Sequence, residues 1–163
     1  MEVLKNNSYS ESSKPKKYFE NWMKEIPDYI KISELTIPGT HDSCSYQIKG
    51  LGIFLSFAAK TQSWNLEEQM KAGLRYFDIR LRSYNNTLHC FHGPIDLGQT
   101  FDSVLKKASE FLNKNKGEGL IMQIVSEYED KDCTKSMEQM YEEYTKDYKK
   151  MIIVYNDEKI PSM

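Results

Sequence analysis

The sequence lacks any hydrophobic run long enough to cross a membrane. No stretch approaches the ~20 consecutive apolar residues that a spanning helix needs, and residues 1–30 contain no apolar run of the kind that a secretory signal peptide requires. A mature secreted protein, with its signal already removed, would show the same absence. We therefore expect a protein of the cytoplasm or of a peripheral position on a membrane, with secretion left open.

The sequence also lacks an excess of positive charge. Its 22 Lys and Arg residues are outnumbered by 24 Asp and Glu residues, for a net charge of −2. Because nucleic-acid-binding surfaces carry clustered Lys and Arg, and no basic stripe stands out here, we expect no nucleic-acid partner. This charge balance does not exclude a membrane surface, since a small apolar patch can act without bulk positive charge.

Cysteine is scarce, and its spacing excludes two kinds of structural cross-link. Cys44, Cys90 and Cys133 contain no CxxC pair of the kind that structural zinc sites use, and their odd number does not suit a disulfide framework. We therefore expect three plain thiols, which favours a reducing compartment.

What remains is a globular composition with an α/β pattern. Apolar residues make up 39% of the chain and charged residues 28%, which is ordinary for a soluble domain. Residues 1–17 are polar and predict a flexible arm, followed by one domain over 18–163. Strands are predicted at 32–37, 74–81, 87–91, 120–125 and 151–155, with helices near 19–23, after Asn65, after Thr100 and over 137–144.

Strands that alternate with helices are typical of right-handed βαβ units and an α/β sheet. About five strands fit the chain, against the eight of a closed (β/α) barrel. A doubly wound open sheet is the alternative, although no Gly-rich phosphate loop follows the first strand. The pattern alone leaves both arrangements open.

Polar side chains follow three predicted strand ends. They are His41 and Asp42 after the first strand, Asp78 and Arg80 at the end of the second, and His92 after the third. Because the carboxyl ends of parallel strands form the active-site face of α/β folds, we expect these five side chains to lie together.

Two histidines, an arginine and two aspartates suit phosphodiester cleavage. One imidazole can take a proton from an attacking hydroxyl while the other protonates the leaving oxygen. The guanidinium neutralises charge on the phosphate, and each aspartate orients a ring. Each residue also has an ordinary structural interpretation, as a satisfied polar group, a helix cap or an ion pair. His89, which alternates with Phe91 inside a strand, is expected to be structural.

Three motifs, in their order and spacing, resemble the X domain of bacterial phosphatidylinositol-specific phospholipases C. They are IPGTHDS at 37–43, FDIR at 77–80 and HGP at 92–94. The resemblance extends over residues 20–155. Its further segments are Asn21-Trp22-Met23 with Ile26-Pro27, Thr61-Gln62 with Gln69-Met70, and EYED at 127–130.

The resemblance implies the N-terminal part of a TIM-type (β/α) barrel, incomplete in this chain, and a phospholipase C activity. His41 would be the general base that activates the inositol 2-hydroxyl, and His92 the general acid for the diacylglycerol oxygen. Arg80 would bind the phosphate, with Asp42 and Asp78 in support. The products would be diacylglycerol and inositol 1,2-cyclic phosphate, from phosphatidylinositol or a glycosylated form.

The resemblance also bears on cofactors and membranes. Eukaryotic relatives hold calcium near the phosphate, whereas here a fixed cation at Arg80 takes that electrostatic role, so we expect no metal and no other cofactor. The apolar window at 50–59 resembles a membrane-docking helix of bacterial members. Its anchors on a phosphatidylinositol-containing membrane would be Ile53, Phe54, Leu55 and Phe57, with an ordinary core helix as the alternative.

Two departures from the family pattern matter. Val125-Ser126 stand where the family usually has a substrate-contacting lysine, and family members are considerably longer than this chain. The length leaves three interpretations: a fragment lacking its C-terminal half, self-association that completes the barrel, or a degenerate relative.

Two other functions are alternatives to this activity. The first is a catalytically inactive membrane- or phosphoinositide-binding module that keeps these residues by descent. The second is a metal-dependent glycerophosphodiester phosphodiesterase, which the sequence disfavours because the expected Glu-x-Asp is absent after His41.

Overall fold

The structure is a computed structural model and describes residues 15, 17–48, 60–152 and 154. Most of the expected N-terminal arm, 1–17, lies outside these residues. So do the four docking residues Ile53, Phe54, Leu55 and Phe57, and the predictions made for them stay predictions.

Five strands form one sheet in the described part of the chain. They are β1 (Gly39–Thr40), β2 (Tyr76–Tyr84), β3 (Thr87–His92), β4 (Ile95–Thr100) and β5 (Ile121–Ser126). Strand β2 lies at the centre, parallel to β1 and β5 and antiparallel to β3, and β4 pairs antiparallel with β3.

The register places two strands along one edge of β2. β1 and β5 both pair with Tyr76 and Phe77, so they lie on opposite edges of β2. β3 and β5 both pair with Leu81, so β3 shares the edge that β1 occupies. This edge therefore carries β1 at its start and β3 at its end, with residues 78–80 between them.

The β2–β3 connection corrects the expectation of alternating βαβ units. Asn85 and Asn86 join the two strands as a hairpin, with φ of 49° and 57°. Two-residue hairpins need positive φ, and asparagine adopts it more readily than most residues. A parallel pair would need a crossover of a dozen or more residues, and the chain has no such length between Tyr84 and Thr87.

Other predicted elements also change. Residues Ile32–Glu34 form a 3₁₀ turn rather than a strand, because the Glu34 carboxylate accepts the N–H of Lys31 and closes it. The opening helix is the 3₁₀ turn Met23–Glu25. Strand β4, which contains Gly98 at φ 68°, was not predicted. Residues 151, 152 and 154 of the last predicted strand carry no strand pairing, and 153 and 155 lie outside the described residues.

The predicted cap positions are confirmed. The described residues form the helices α1 (Leu66–Lys71), α2 (Phe101–Lys114) and α3 (Met137–Thr145). Asn65 accepts the N–H of Glu68 at the start of α1, and Thr100 accepts that of Ser103 at the start of α2. These side chains satisfy N–H groups that the first turn of a helix leaves unpaired.

The alternation of side chains along β2 separates the core from the site. Phe77, Ile79 and Leu81 are buried in one apolar core with the inward face of α2. Successive strand residues point to opposite faces of a sheet. Asp78 and Arg80 therefore lie on the face away from that core.

Candidate active site

The interval between β1 and β3 brings the predicted residues together. β1 ends just before His41 and Asp42. β3 runs back toward β1, and its last residue, His92, lies two positions past the Cys90–Leu81 pair, level with the middle of β2. His92 thus reaches the site by the return of a hairpin and not as the carboxyl end of a third parallel strand.

Asp42 is the centre of the cluster. Its side chain is 1% exposed, and its Oδ2 lies 3.0 Å from Nε2 of His41 and 3.5 Å from Nε2 of His92. Its Oδ1 lies 2.6 Å from Nε of Arg80. None of these contacts has hydrogen-bond geometry, and the one with Arg80 is an ion pair. One buried carboxylate therefore contacts all three basic side chains of the site.

Asp78 supplies a second carboxylate beside His41. Its Oδ2 lies 3.0 Å from Nδ1 of His41 and accepts hydrogen bonds from Nε of Arg80 at 3.2 Å and from the backbone N–H of Asp42 at 3.1 Å. Both ring nitrogens of His41 thus face a carboxylate. These contacts orient a side chain that is 65% exposed.

The local backbone explains how Asp42 reaches this position. Its φ is 46°, in the left-handed region that aspartate enters more readily than most residues. Ser43 then joins the turn to β2, because its N–H donates to the carbonyl of Asp78 and its Oγ accepts the N–H of Asp78, both at 2.9 Å.

Glu127 begins the EYED segment at 127–130, but the sequence analysis assigned it no role in the site. Its Oε2 lies 3.0 Å from Nη1 of Arg80, and its Oε1 accepts the backbone N–H of Gly93 at 2.8 Å. It therefore links the arginine to the residue that follows His92. Its position in the sequence could have indicated this role, because Glu127 directly follows β5, at the carboxyl end of a strand parallel to β2.

Arg80 is a permanent cation in this setting. Burial opposes its charge, but the nearby carboxylates of Asp42 and Asp78 and the hydrogen bond with Glu127 outweigh that effect, so the pKa of Arg80 is raised above its ordinary value. A positive charge therefore stays between three carboxylates at any working pH.

His41, Asp42 and Asp78 also offer donor atoms within 4.8 Å of one another, which is a spacing that can hold a metal ion. Nε of Arg80 already lies within 3.2 Å of an oxygen of each aspartate. A divalent cation there would meet the guanidinium charge at short range, so these residues fit a metal poorly. The metal-free site stays a prediction.

The other positions singled out from the sequence lie around the cluster or away from it. His89 has Nδ1 3.6 Å from Oδ2 of Asp96 and packs edge-on against Tyr84, as expected of a structural residue.

Val125 pairs with Arg80 across β5 and β2. The position at which the family usually has a lysine, Val125-Ser126 in this chain, therefore lies beside Arg80 and Leu81 of β2.

The three cysteines are free thiols, as predicted. Cys44 and Cys90 are both buried, and a hydrogen bond to Cys44 together with burial raises the pKa of the Cys90 thiol well above its ordinary value.

The comparisons with known proteins agree on one family. Residues 35–163 match the family described as "Phosphatidylinositol-specific phospholipase C, X domain". The chain is 35% identical over 126 residues to the 1-phosphatidylinositol phosphodiesterase of Listeria monocytogenes, covering 77% of this chain and 39% of that protein. It is 36% identical over 127 residues to the protein of the same name from Staphylococcus aureus strain Newman, covering 77% and 40%.

Solved structures give the same answer for the fold. The phosphatidylinositol-specific phospholipase C from Listeria monocytogenes aligns with a TM-score of 0.76 at 32% identity, over 88% of this chain and 52% of that chain. The sheet with its helices is thus part of a TIM-type (β/α) barrel, as the resemblance implied. In the described residues, no helix has the length and apolar character to cross a bilayer.

The chain spans 39% and 40% of the length of these two curated relatives. The matched region nevertheless includes all of the cluster described above, from His41 to Glu127. The match of residues 35–163, with the sequence identity and the shared fold, shows that this chain belongs to the phosphatidylinositol-specific phospholipase C X domain family.

Proposed function

We propose that this chain carries the acid–base machinery of a phospholipase C that cleaves phosphatidylinositol. The observation that supports this most directly is that the single buried carboxylate of Asp42 contacts His41, His92 and Arg80. Both histidine side chains are partly exposed, at 65% and 27%, so a phosphodiester can reach them.

His41 is the general base of the proposed reaction. Asp78 lies at Nδ1 of its ring and holds the proton there, which leaves Nε2 to take a proton from the inositol 2-hydroxyl. The Asp42 carboxylate, now 3.0 Å from Nε2, gives up this nitrogen when the hydroxyl binds. The alkoxide oxygen then attacks phosphorus within the same molecule.

His92 is the general acid. Its Nε2 lies 3.5 Å from Oδ2 of Asp42, and its imidazolium form donates a proton to the diacylglycerol oxygen as the phosphorus–oxygen bond breaks. The guanidinium of Arg80 neutralises charge on the non-bridging phosphate oxygens. The products are diacylglycerol and inositol 1,2-cyclic phosphate, and the head group is plain or glycosylated inositol.

The proposed partner is a membrane surface that contains phosphatidylinositol. A solved relative from Staphylococcus aureus is described in terms of its membrane binding. In this chain the apolar residues Ile53, Phe54, Leu55 and Phe57 are the proposed anchors, which gives a peripheral position on the membrane.

A second candidate function is a binding module that recognises phosphoinositide without cleaving it. One observation favours it: Val125-Ser126 stand where the family usually has a substrate-contacting lysine, and Val125 pairs with Arg80. It predicts vesicle binding without product.

Phosphorus NMR of phosphatidylinositol vesicles, incubated with the protein and a chelator, tests the proposal. We expect a cyclic-phosphate signal from the wild-type protein and from His89→Ala, the matched control, and none from His41→Ala or His92→Ala. A signal that persists undiminished in His41→Ala would contradict the assigned base. Vesicle binding by all four proteins without any product would favour the binding module.

A further inference from the structure

Thr61 and Gln62 hold the backbone of His41 and Asp42. Nε2 of Gln62 donates to the carbonyl oxygen of His41 at 2.6 Å. The hydroxyl of Thr61 lies 3.2 Å from the carbonyl oxygens of both His41 and Asp42 and donates toward them. The backbone N–H groups of Thr61 and Gln62 donate in turn to the carbonyl of Ser45, both at 3.0 Å. Residues 61 and 62 are thus joined to the whole turn that carries the proposed base.

The two carbonyls held in this way belong to the peptide groups on either side of Asp42. Fixing both peptide groups fixes the φ and ψ of the residue between them. Asp42 has φ of 46°, a sparsely populated conformation for a residue other than glycine, which persists where the surrounding structure holds it. Thr61 and Gln62, which precede α1 in the chain, hold this conformation through their hydrogen bonds to the two carbonyls.

His41 depends on its backbone more than a buried side chain would. Its ring is 65% exposed, so packing does not hold it, and its orientation relies on contacts of 3.0 Å with Asp42 and Asp78. A small rotation of the turn would carry the ring away from both carboxylates.

We propose that Thr61 and Gln62 are positioning residues for the proposed general base. They act by holding the peptide groups that flank Asp42. The inference rests on the proposed function for the role of His41, whereas the effect on the position of its ring does not require turnover.

Gln62→Leu and Thr61→Val remove the donors with little change in volume, and Thr61→Ser keeps the hydroxyl. Thr61 is exposed and Gln62 half-buried, so neither variant opens the core. Misplacing a catalytic group by about 1 Å costs up to about 100-fold in rate. We expect kcat to fall about 10- to 100-fold in Gln62→Leu and Thr61→Val, with KM within about twofold, and Thr61→Ser to recover most of the rate.

Thr134→Val is the matched control, since this exposed threonine also uses its hydroxyl in a hydrogen bond, to Oδ1 of Asn86, away from the site. We expect this variant to keep wild-type kcat and KM. A loss of kcat equal to that of Thr61→Val would contradict the proposal, because the effect would then follow from loss of any surface hydroxyl.

A second measurement follows the ring itself. The chain has three histidines, so their ring carbon–proton resonances are few enough to assign with His→Ala variants. We expect the His41 resonances to shift in Gln62→Leu while those of His89 stay in place. Shifted His41 resonances in a protein without phospholipase activity would keep the positioning role and reject the proposed function. Unchanged His41 resonances, whatever the activity, would overturn the proposal.

Discussion

Nε of Arg80 lies 2.6 Å from Oδ1 of Asp42, so a fixed positive charge sits directly against the most buried carboxylate of the site. The same guanidinium reaches Glu127 through Nη1 at 3.0 Å. A planar guanidinium can serve acceptors in two directions at once, which the compact ammonium of lysine cannot do in the same geometry. The shape of this side chain therefore matters as well as its charge.

Replacing this arginine by lysine tests that requirement. We expect Arg80→Lys to lower kcat about 100- to 1000-fold, because a donor aimed at the developing phosphate charge is lost, while the fold remains intact. Initial rates on phosphatidylinositol vesicles measure the effect. Arg82→Lys is the control, since Arg82 packs over Phe91 and Tyr128 and its Nε donates to the carbonyl of Glu129. Equal rates for both variants would show that Arg80 has no special role.

Removal of metal ions tests whether the positive charge of Arg80 is sufficient without a bound cation. We expect an excess of a calcium chelator to leave the phospholipase activity unchanged. The guanidinium of Arg80 already supplies the positive charge that calcium supplies in the eukaryotic relatives. Rates with chelator and with added calcium measure this. Activity lost with chelator and restored by calcium would mean that His41, Asp42 and Asp78 bind a metal.

A buried ion pair lies next to the first residue of β2. Arg75 and Glu118 have side chains that are 0% exposed, and Nε and Nη2 of Arg75 donate to Oε2 of Glu118 at 2.9 and 2.7 Å. Oε1 of Glu118 accepts the backbone N–H of Met23 at 2.9 Å. The pair thus joins the N-terminal segment to the sheet and to the segment before β5.

Breaking this pair should be costly. We expect Glu118→Ala to lower the free energy of unfolding by about 3–5 kcal/mol, because the guanidinium of Arg75 would stay buried without its counter-charge. Glu143→Ala breaks the exposed pair with Lys135 and should cost less than about 1 kcal/mol. Chemical denaturation measures both values. If both variants lost a similarly small free energy of unfolding, the buried pair would not be a major contributor to stability.

The apolar segment before Thr61 offers a separate test of membrane binding. We expect the double variant Phe54→Ser, Phe57→Ser to weaken binding to phosphatidylinositol vesicles about tenfold or more, because two apolar anchors are lost, with an unchanged melting temperature. Vesicle sedimentation and thermal unfolding measure the two effects. Phe19→Ser is the control, since Phe19 is 55% exposed elsewhere on the chain. Loss of folding in the double variant would favour a core helix.

Local sequence signals predicted the parts of this protein that depend on neighbouring residues. Asn65 and Thr100 were identified as helix caps because a cap needs only a suitable side chain and an N–H three residues later. The apolar run before Glu127 likewise indicated a strand parallel to others, and β5 does pair parallel with β2. The expected burial of this strand on both faces was wrong, because its residues are half-buried or exposed. The 3₁₀ turn at Ile32–Glu34 was missed because apolar alternation is equally compatible with a short strand.

Residue type and motif are enough to pick out His41, Asp42, Asp78, Arg80 and His92 as candidate site residues before any coordinate is known. How these side chains meet depends on the fold. The hairpin at Asn85-Asn86 turns β3 back along the edge of β2 that β1 leaves free, and so brings His92 to Asp42. Strand direction and pairing partner depend on contacts between distant segments, which no local pattern encodes, and the link from Glu127 to Arg80 arises for the same reason.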